Sequence, residues 1–486
     1  MTKLTKIVAT ISDLRCDVDF IRGLYEAGMN VVRTNTAHID DEGFARVVNN
    51  VRAVSKKIAI LVDTKGPEIR TTKTESGEAI QLYAGSRVKV VGNIDQLTTE
   101  QCIAVSYKDI VKDLSVGCDL LFDDGEIDVK VIEKHDDGLI CEILNDGKLG
   151  SRKSVNVPGV RINLPSLTPK DIHNIELAVK HNVDFIAHSF VRNKQDVLDV
   201  QAILDKYNSD IKIIAKIENQ EGVDNIDEIL EVAYGIMVAR GDLGIEVPQE
   251  KIPGIQRALI RRAVNFKKPV IVATQMLHSM INNPRPTRAE VTDVANAIYY
   301  RTDAIMLSGE TAYGKYPKEA VETMARIAEE AEKGKVPEND IKVNFDPSEH
   351  DTTSFLAKQA AKAATEIGTK AIITDSYTGR TARYLAAFRC SNPVLAICYK
   401  ESTMRHLALS YGVMASHQPE RENNREYLLE AMSELREKGK IKDEDFISYL
   451  SGSFGAGNGT SFLEINQVEK ILGDEKRFVL PDFKHN

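Results

Sequence analysis

Four short apolar runs in the middle of the chain each end on polar or charged side chains. The runs are rich in Ile, Val, Ala and Met and show no polar alternation, which is typical of parallel strands buried on both faces. A helix-like stretch follows each run, so the pattern predicts successive strand–helix units. The runs are IKIIAKIEN (211–219), GIMVARGDLGIE (235–246), PVIVATQML (269–277) and DAIMLSGET (303–311).

Four earlier runs of the same kind bring the number of predicted strands to eight. Eight parallel strands with intervening helices form a (β/α)8 barrel of about 250 residues. We expect the barrel to use residues 1–70 and 168–340, with its last helix in 316–333, where one face is apolar at helical spacing. The earlier runs are KIVATI (6–11), MNVVRTN (29–35), IAILVDTKG (58–66) and VDFIAHSF (183–190).

Two other parts of the chain break the barrel rhythm. Residues 71–167 show short alternating segments with Asp-Asp-Gly and Asn-Asp-Gly turns, which predict a small all-β domain inserted after the third strand. Residues 345–486 alternate helix and strand beyond a charged linker, which predicts a separate α/β domain with a mostly parallel sheet.

Composition narrows the class of protein. The net charge of −9 is spread along the chain and argues against nucleic-acid binding. We find no apolar run long enough to cross a bilayer and no leader pattern at Met1. The six cysteines form no CxxC pair, so we expect reduced thiols, no metal ligation by cysteine and a cytoplasmic location.

Charged residues gather at neighbouring strand ends, where such a barrel builds its active site. Lys216 and Glu218 end one strand, and Asp242 follows the next. Two carboxylates with room for water and substrate oxygens suit Mg²⁺ or Mn²⁺. A lysine beside them would neutralise a phosphoryl group in transfer or an enolate. A buried structural salt bridge is the alternative, but the agreement of three strand ends favours a site.

Further polar residues follow other strands. Gly241 and Gly244 stand on either side of Asp242 and permit close approach of the backbone, so that amide N–H groups could bind an anion. A simple tight turn is the alternative interpretation. Thr274 is alone in an apolar run, where a hydroxyl most often bonds nearby backbone. Arg33 can fork onto a phosphate or carboxylate.

The second and third strands end on side chains rich in oxygen. Asn35, Asp63 and Thr64 could surround a monovalent cation, or serve only as turn residues. Elsewhere, Thr287 and Glu290 form a capping box that opens a helix over 288–299.

Two loops of the last domain could hold a phosphate. A loop after a strand offers hydroxyls, a glycine and an arginine, and residues 452–460 form a second glycine-rich loop. Ordinary loops are the simpler interpretation of each loop alone. The candidate effector residues are Thr374, Ser376, Thr378, Gly379, Arg380 and Thr381.

Taken together, these segments resemble the pyruvate kinase family over nearly the whole chain. IIAKIEN and MVARGDLG, in that order, are the most specific of the matching motifs. The full set is GMNVVR (28–33), TKGPEIRT (64–71), IIAKIEN (213–219), MVARGDLGIEVP (237–248), VIVATQML (270–277), NPRPTRAEVTDVANAI (283–298) and IMLSGETAYGKYP (305–317).

The resemblance implies a TIM barrel, an inserted small β-barrel lid and a C-terminal α/β regulatory domain. It implies phosphoryl transfer from phosphoenolpyruvate to ADP, giving pyruvate and ATP in the final step of glycolysis. It further implies Mg²⁺ (or Mn²⁺), K⁺, a cytoplasmic homotetramer and a possible sugar-phosphate effector.

The resemblance also assigns roles. Glu218 and Asp242 would hold the divalent metal, and Lys216 and Arg33 would stabilise the phosphoryl group. The amides of Gly241 and Asp242, with Thr274, would take the substrate carboxylate, and Thr274 lies on the route of proton delivery to the enolate. The remaining matches are His38, Arg70 and Lys153 for ADP, Asn35, Asp63 and Thr64 for K⁺, and Ser308 and Glu310 beneath the barrel mouth.

The chain departs from the family pattern at several points. Ala37 replaces a serine whose hydroxyl helps bind K⁺, although Glu68 matches the K⁺-requiring version, so we expect a weakened site completed by Thr36 or water. Ser12 and Asp13 replace a Gly-Pro pair and put nucleotide contacts nearby in question. Asp375 and Tyr377 stand in the phosphate loop, where an acid repels a phosphate, so a sugar-phosphate activator stays open.

Two other functions compete with an active kinase. An aldolase or lyase acting on pyruvate would share the Glu/Asp metal pair but would need neither the lid nor TKGPEIRT. A non-catalytic regulator would be expected to lose one of Lys216, Glu218, Asp242 and Arg33, and all four are intact. We therefore favour the kinase.

Overall fold

The computed structural model describes residues 3–37, 39–334, 343, 351–390, 392–419, 424–452 and 459–473. The chain begins with two strand–helix units and a third strand. These strands are fully or largely buried, as their apolar runs predict. The elements are β1 (Lys6–Thr10), α1 (Val18–Glu26), β2 (Val31–Asn35), α2 (Asp41–Val54) and β3 (Ala59–Asp63).

A small β domain follows β3. Seven of its strands form one sheet in the order β4-β12-β8-β9-β10-β6-β7, and β5 pairs with β11. The antiparallel bridge Thr71–Val105 joins the two outer strands, so the sheet closes on itself around its own apolar core. The elements are β4 (Ile69–Arg70), β5 (Ile80–Leu82), β6 (Arg87–Val91), β7 (Cys102–Ala104), α3 (Ile110–Asp113), β8 (Asp119–Phe122), β9 (Ile127–His135), β10 (Gly138–Ile143), β11 (Gly147–Leu149) and β12 (Ser154–Asn156).

The barrel then resumes with five strands. Short 3-10 turns lie at Gln249–Lys251 and His278–Ile281. The elements are α4 (Pro169–Lys180), β13 (Phe185–His188), α5 (Lys194–Lys206), β14 (Lys212–Ile217), α6 (Gln220–Asp224), α7 (Ile226–Val232), β15 (Gly235–Ala239), α8 (Arg240–Glu246), α9 (Ile252–Asn265), β16 (Val270–Ala273), α10 (Arg288–Tyr299), β17 (Ala304–Leu307), α11 (Gly309–Ala312) and α12 (Pro317–Lys333).

The last domain is an α/β layer around a five-stranded sheet of order β20-β19-β18-β21-β22, in which only the β21–β22 pair is antiparallel. A 3-10 turn lies at Leu407–Leu409. The elements are α13 (Thr352–Glu366), β18 (Ala371–Ser376), α14 (Arg380–Ala387), β19 (Val394–Cys398), α15 (Glu401–His406), β20 (Val413–His417), α16 (Asn424–Glu437), β21 (Phe446–Ser451), β22 (Phe462–Gln467) and α17 (Val468–Gly473).

The eight barrel strands are parallel and close in the order β1-β17-β16-β15-β14-β13-β3-β2. Inward-facing side chains such as Leu61, Phe185 and Met237 fill the interior. Leu409 of the last domain packs into the same cluster and is fully buried. The base of the barrel is therefore closed by the α/β domain, which leaves the carboxyl ends of the strands as the open face.

The structure confirms the predicted fold class, and it corrects one reading. The run 235–246 is not strand throughout: β15 ends at Ala239, and residues 240–246 form the short helix α8. The predicted capping box at α10 is present, with both Thr287 and Glu290 bonded to backbone amides. The six cysteines are free. Within the described residues, no helix is long and apolar enough to cross a membrane.

Candidate active site

Lys216 lies at the centre of the barrel mouth. Its Nζ is 2.7 Å from Ser189 Oγ, 2.9 Å from Glu218 Oε1 and 3.1 Å from Asp63 Oδ1. Burial alone would lower the pKa of this ammonium, but the carboxylates of Asp63 and Glu218 outweigh burial and raise the pKa above its ordinary value. Lys216 is therefore permanently charged, and its ammonium group is held in place by residues at the ends of three neighbouring strands.

Arg33 brings a second positive charge to the mouth. Its Nε and Nη2 donate to the same oxygen of Asp63, at 2.8 and 2.6 Å. Burial opposes ionisation of Asp63, but Arg33 and Lys216 together hold the pKa of this carboxyl below its usual range. Asp63 thus links two cations from β2 and β14 and stays ionised.

Glu218 is fully buried, and its two oxygens are used differently. Oε2 accepts from the Phe190 amide at 2.7 Å, whereas Oε1 lies 2.9 Å from the Lys216 ammonium. Burial raises the pKa of Glu218 to about 8 against the influence of Lys216, and the nearby Asp242 carboxylate raises it further. A buried carboxylate oxygen of this kind fits a ligand to a cation.

The donor set at the mouth suits a cation that keeps few protein ligands. Within the described residues, no three His, Cys, Asp or Glu side chains are arranged to enclose a metal ion. Glu218 and Asp242 line one cavity with Lys216, whereas the Asp63 carboxylate in the same cavity is already paired with Arg33 and Lys216. Mg²⁺ takes one or two carboxylates and completes its shell with water and substrate oxygens, so these residues fit it.

Asp242 is positioned by the start of α8, next to the end of β16. The Gly241 amide donates to Thr274 Oγ1 at 2.8 Å, and this hydroxyl donates to the Ala273 carbonyl at 2.6 Å. Thr274 and Gln275 both have positive φ, +69° and +54°. A β-branched residue in the left-handed region is a true outlier, and such strain concentrates at functional sites.

A cavity of about 400 Å³ opens above these residues, between the barrel and the β domain. Arg152 of the β domain lines it, whereas the neighbouring Lys153 does not and instead pairs with Asp123 at 2.8 Å. Arg70 also lines it and donates to Glu68. The cavity wall consists of Arg33, Asn35, Ala37, Asp63, Thr64, Lys65, Glu68, Arg70, Arg152, Ser189, Phe190, Lys216, Glu218 and Asp242.

A wider cleft of about 890 Å³ continues between the two domains. Asn156 of β12 and Glu246 of α8 both line it. Burial raises the pKa of Glu246 to about 7, and a hydrogen bond between its side chain and Asn156 opposes this shift. The cleft joins the Lys216 cavity at Asp242. The two volumes together give room for a phosphate-bearing ligand that reaches both domains.

The predicted monovalent-cation residues lie together at one side of the mouth. Asn35 Oδ1 accepts from the Ala37 amide at 3.0 Å, and Thr36 Oγ1 donates to the Asp63 carbonyl at 2.8 Å. Thr64 Oγ1 accepts from the Ser189 amide at 3.1 Å. The Thr36 hydroxyl is therefore already directed at backbone, and Ala37 contributes no side-chain oxygen to this group.

Ser308 and Glu310, predicted to lie beneath the barrel mouth, do not line the cavity. Glu310 is buried and accepts from the amides of Leu277 and Ser308, at 3.1 and 2.7 Å. It thereby ties the loops after β16 and β17 together.

His38, predicted to meet ADP, lies outside the described residues.

The candidate effector loop is largely satisfied by its own contacts. Ser376 Oγ accepts from the Gly379 amide, and Thr381 shares a hydrogen bond with Thr460. Asp375 accepts from the Tyr399 hydroxyl at 2.7 Å. Thr374 donates to backbone, and Arg380 lies 3.5 Å from Asp351. Residues 453–458 of the second glycine loop lie outside the described residues.

The sequence assigns no site role to Ser189 or Arg152, and it places Arg240 among the charged residues at the strand ends without a specific role. Ser189 orients Lys216, Arg152 lines the cavity, and Arg240 donates to the carbonyls of Ala273 and Thr274 and to both oxygens of Asp293. The one available signal was position, because Ser189 and Arg240 directly follow β13 and β15. Ser189 lies 27 residues from Lys216 and 125 from Thr64, and Arg240 lies 53 residues from Asp293.

Comparison with known proteins agrees with this geometry. The model of the pyruvate kinase barrel domain matches residues 2–321, and that of the pyruvate kinase alpha/beta domain matches residues 354–466. The pyruvate kinase of Borreliella burgdorferi is 48% identical over 477 residues, which are 97% of this chain and 99% of that protein. That of Geobacillus stearothermophilus is 42% identical over 97% of this chain and 81% of its own length.

A solved structure supports the same assignment. The crystal structure of a pyruvate kinase from Cryptosporidium parvum superposes with a TM-score of 0.89 at 36% identity, covering 96% of each chain. Family models that span most of the chain, nearly full-length relatives and a shared three-part architecture agree. The chain therefore belongs to the pyruvate kinase family.

Proposed function

We propose that the residues around Lys216 carry the family's reaction in this chain. That reaction is the transfer of the phosphoryl group of phosphoenolpyruvate to ADP, which gives pyruvate and ATP in glycolysis. The observation that carries the assignment of roles is the buried ammonium of Lys216, held between Asp63 and Glu218 beside an open cavity. A permanent charge fixed in a partly dry site stabilises developing negative charge without reorganisation.

Glu218 and Asp242 would hold a divalent cation, which supplies charge neutralisation for the phosphoryl oxygens and the enolate when bound. The burial of Glu218 and the influence of the nearby Asp242 carboxylate support this role. Burial raises the pKa of Glu218, so a bound cation would favour its ionised form.

Lys216 and Arg33 would bind the phosphoryl group from two sides. Both form salt bridges with Asp63, which keep their charged groups at the barrel mouth. As the phosphoryl group leaves, Lys216 would stabilise the negative charge that forms on the enolate oxygen. The amides at the start of α8 and the Thr274 hydroxyl would take the substrate carboxylate, for which the Gly241 amide and the hydroxyl would exchange their present bonds to Thr274 Oγ1 and the Ala273 carbonyl. Thr274 would lie on the path of the proton that converts enolate to pyruvate.

The β domain would supply the nucleotide side of the site. Arg70 and Arg152 line the cavity, and Lys153 is one residue further along the chain. Closure of this domain as a lid would exclude water, which otherwise competes with ADP for the phosphoryl group.

Three finer properties stay predictions. K⁺ would bind at Asn35, Asp63 and Thr64, weakened by the missing hydroxyl at Ala37. A homotetramer is expected from the family alone. A sugar-phosphate effector would have to tolerate the Asp375 carboxylate, which faces Tyr399.

Phosphorus NMR tests the proposed reaction directly. A mixture of phosphoenolpyruvate, ADP, Mg²⁺ and K⁺ with the protein should lose the phosphoenolpyruvate signal and gain the β-phosphate signal of ATP. Loss of phosphoenolpyruvate to inorganic phosphate alone, or no change at all, would count against phosphoryl transfer. A lyase or aldolase acting on pyruvate would leave both phosphorus signals unchanged.

A further inference from the structure

A small, largely buried cavity lies at the base of the barrel, at the end opposite the mouth. Its volume is about 10 Å³, which is room for about one water-sized body. The barrel contributes the segment before β16 and the residue before β17, and the last domain contributes α14 and the turn before β20. Its polar lining consists of Lys267, Lys268, Asp303, Arg383, Arg389 and Ser410.

Three buried donors of this lining have no hydrogen-bond acceptor. They are Arg383 Nε, Arg389 Nε and Ser410 Oγ, none of which meets a partner within the described residues. The Arg389 side chain is 5% exposed and Ser410 is 1% exposed. Buried donors nearly always have a partner in folded proteins, so three orphans around one cavity indicate a missing acceptor.

The single carboxylate of the lining cannot be that acceptor. Asp303 Oδ1 accepts from Arg389 Nη1 at 2.9 Å and from the Tyr411 amide at 3.1 Å. Oδ2 accepts from Arg389 Nη2 at 2.8 Å and from the Val270 amide at 3.1 Å. A carboxylate offers about four acceptor positions, and all four are used.

The charge balance of the lining is positive. Lys267, Lys268, Arg383 and Arg389 face one carboxylate, Asp303; Asp351 lies 3.8 Å from Lys267 and offsets one further charge. Burial, reinforced by Arg383, lowers the pKa of Lys268 to about 8. The cavity therefore lies in a positive field that is screened little by solvent.

Charge favours one kind of occupant. A water molecule could accept from the two arginines and donate to the Ser410 hydroxyl, but it would leave the positive charge of the lining uncompensated. A monatomic anion accepts from all three donors and offsets that charge. We propose that this cavity binds one chloride-sized anion, held by Arg383, Arg389 and Ser410, which joins the α/β domain to the base of the barrel.

Bromide identifies the occupant in the crystal. Protein crystallised with sodium bromide in place of chloride should show an anomalous peak at the bromine edge, in contact with Arg383, Arg389 and Ser410. A water-sized peak with no anomalous signal would overturn the proposal.

Thermal unfolding of the full chain tests the same site in solution. At equal ionic strength, chloride or bromide should raise Tm by about 2–4 °C relative to gluconate, since an anion that binds only the folded state stabilises it. Ser410→Ala and Arg383→Met should lose this difference. Arg257→Met is the matched control, because Arg257 also lies over a tyrosine ring, 5.5 Å from Tyr300, as Arg383 lies 4.6 Å from Tyr234.

Two variants of the site, Ser410→Ala and Arg383→Met, are used so that the test still gives a result if one of them does not fold. Ser410→Ala removes one hydroxyl and should fold even if Arg383→Met does not. An unchanged halide effect in Ser410→Ala, together with no bromide peak in the wild type, would contradict the proposal. The result does not depend on catalysis, so it can fail while the phosphoryl-transfer assignment stands.

Discussion

Arg240 donates a hydrogen bond from Nη2 to the carbonyl oxygen of Thr274, at 2.5 Å, and so fixes a threonine in the left-handed region. Such a backbone costs on the order of 1–3 kcal/mol and persists only where its surroundings determine it. The same arginine is anchored by both oxygens of Asp293, at 2.7 Å each. Arg240 is therefore a positioning residue for the Thr274 hydroxyl.

Replacing Arg240 with lysine should reduce kcat by about 10- to 100-fold, because a point donor cannot reproduce the fork that bonds Thr274 and Asp293 at once. Steady-state kinetics with phosphoenolpyruvate as the varied substrate would measure this. Arg262→Lys is the matched control, since Arg262 pairs with Asp227 at the surface of the same barrel. Equal kinetics in both variants would refute a positioning role for Arg240.

Restoring a hydroxyl at position 37 tests the cation site. Ala37→Ser should lower the K⁺ concentration for half-maximal activation by about threefold or more, because a hydroxyl would replace one water in the cation's shell. The Thr36 hydroxyl cannot easily serve instead, since it donates to the Asp63 carbonyl. The measurement is turnover against K⁺ concentration at constant ionic strength, with Na⁺ as replacement. Equal turnover of the wild type in K⁺ and Na⁺ would mean that no cation site operates.

His188 predicts how stability depends on pH. Burial lowers the pKa of this imidazole to about 4, against an ordinary value of 6.5 in the unfolded chain. Above pH 6.5 both states are neutral, so there is no penalty. As the pH falls from 6.5 to 4, His188 binds a proton in the unfolded state but stays neutral in the folded state. The free energy of unfolding therefore decreases over that pH range.

At pH 5 this loss amounts to about 2 kcal/mol. His188→Gln should therefore show a smaller fall in Tm between pH 7.5 and pH 5 than the wild type. His173→Gln is the control, because His173 pairs with Asp41 at the surface. If the wild type and His188→Gln lose the same number of degrees, the buried imidazole does not govern this window.

The sequence predicts the barrel well because strands buried on both faces leave continuous apolar runs, and the residues that end those runs must meet at one face. Helix α8 was not predicted, since a seven-residue segment with two glycines has low helix propensity. The first turn of α8 is stabilised instead by Thr274, which follows β16 and accepts a hydrogen bond from the Gly241 amide.

Other parts of the site depend on contacts that no local pattern encodes. Ser189 bonds Lys216 and Thr64 from a third strand, so a single serine after an apolar run gives no indication of its role. Arg152 and Lys153 are adjacent basic residues, and which of them lines the cavity depends on the left-handed backbone of Arg152, with φ +59°.

The central claim is that the Lys216 charge stabilises the phosphoryl group during transfer. Its direct test is the turnover of Lys216→Met, beside Lys212→Met, which changes a lysine at the opposite end of the same strand. We predict that Lys216→Met lowers kcat by on the order of 10³-fold or more, while Mn²⁺ binding is largely kept and Lys212→Met stays near wild type. Turnover of Lys216→Met within tenfold of the wild type would contradict the claim.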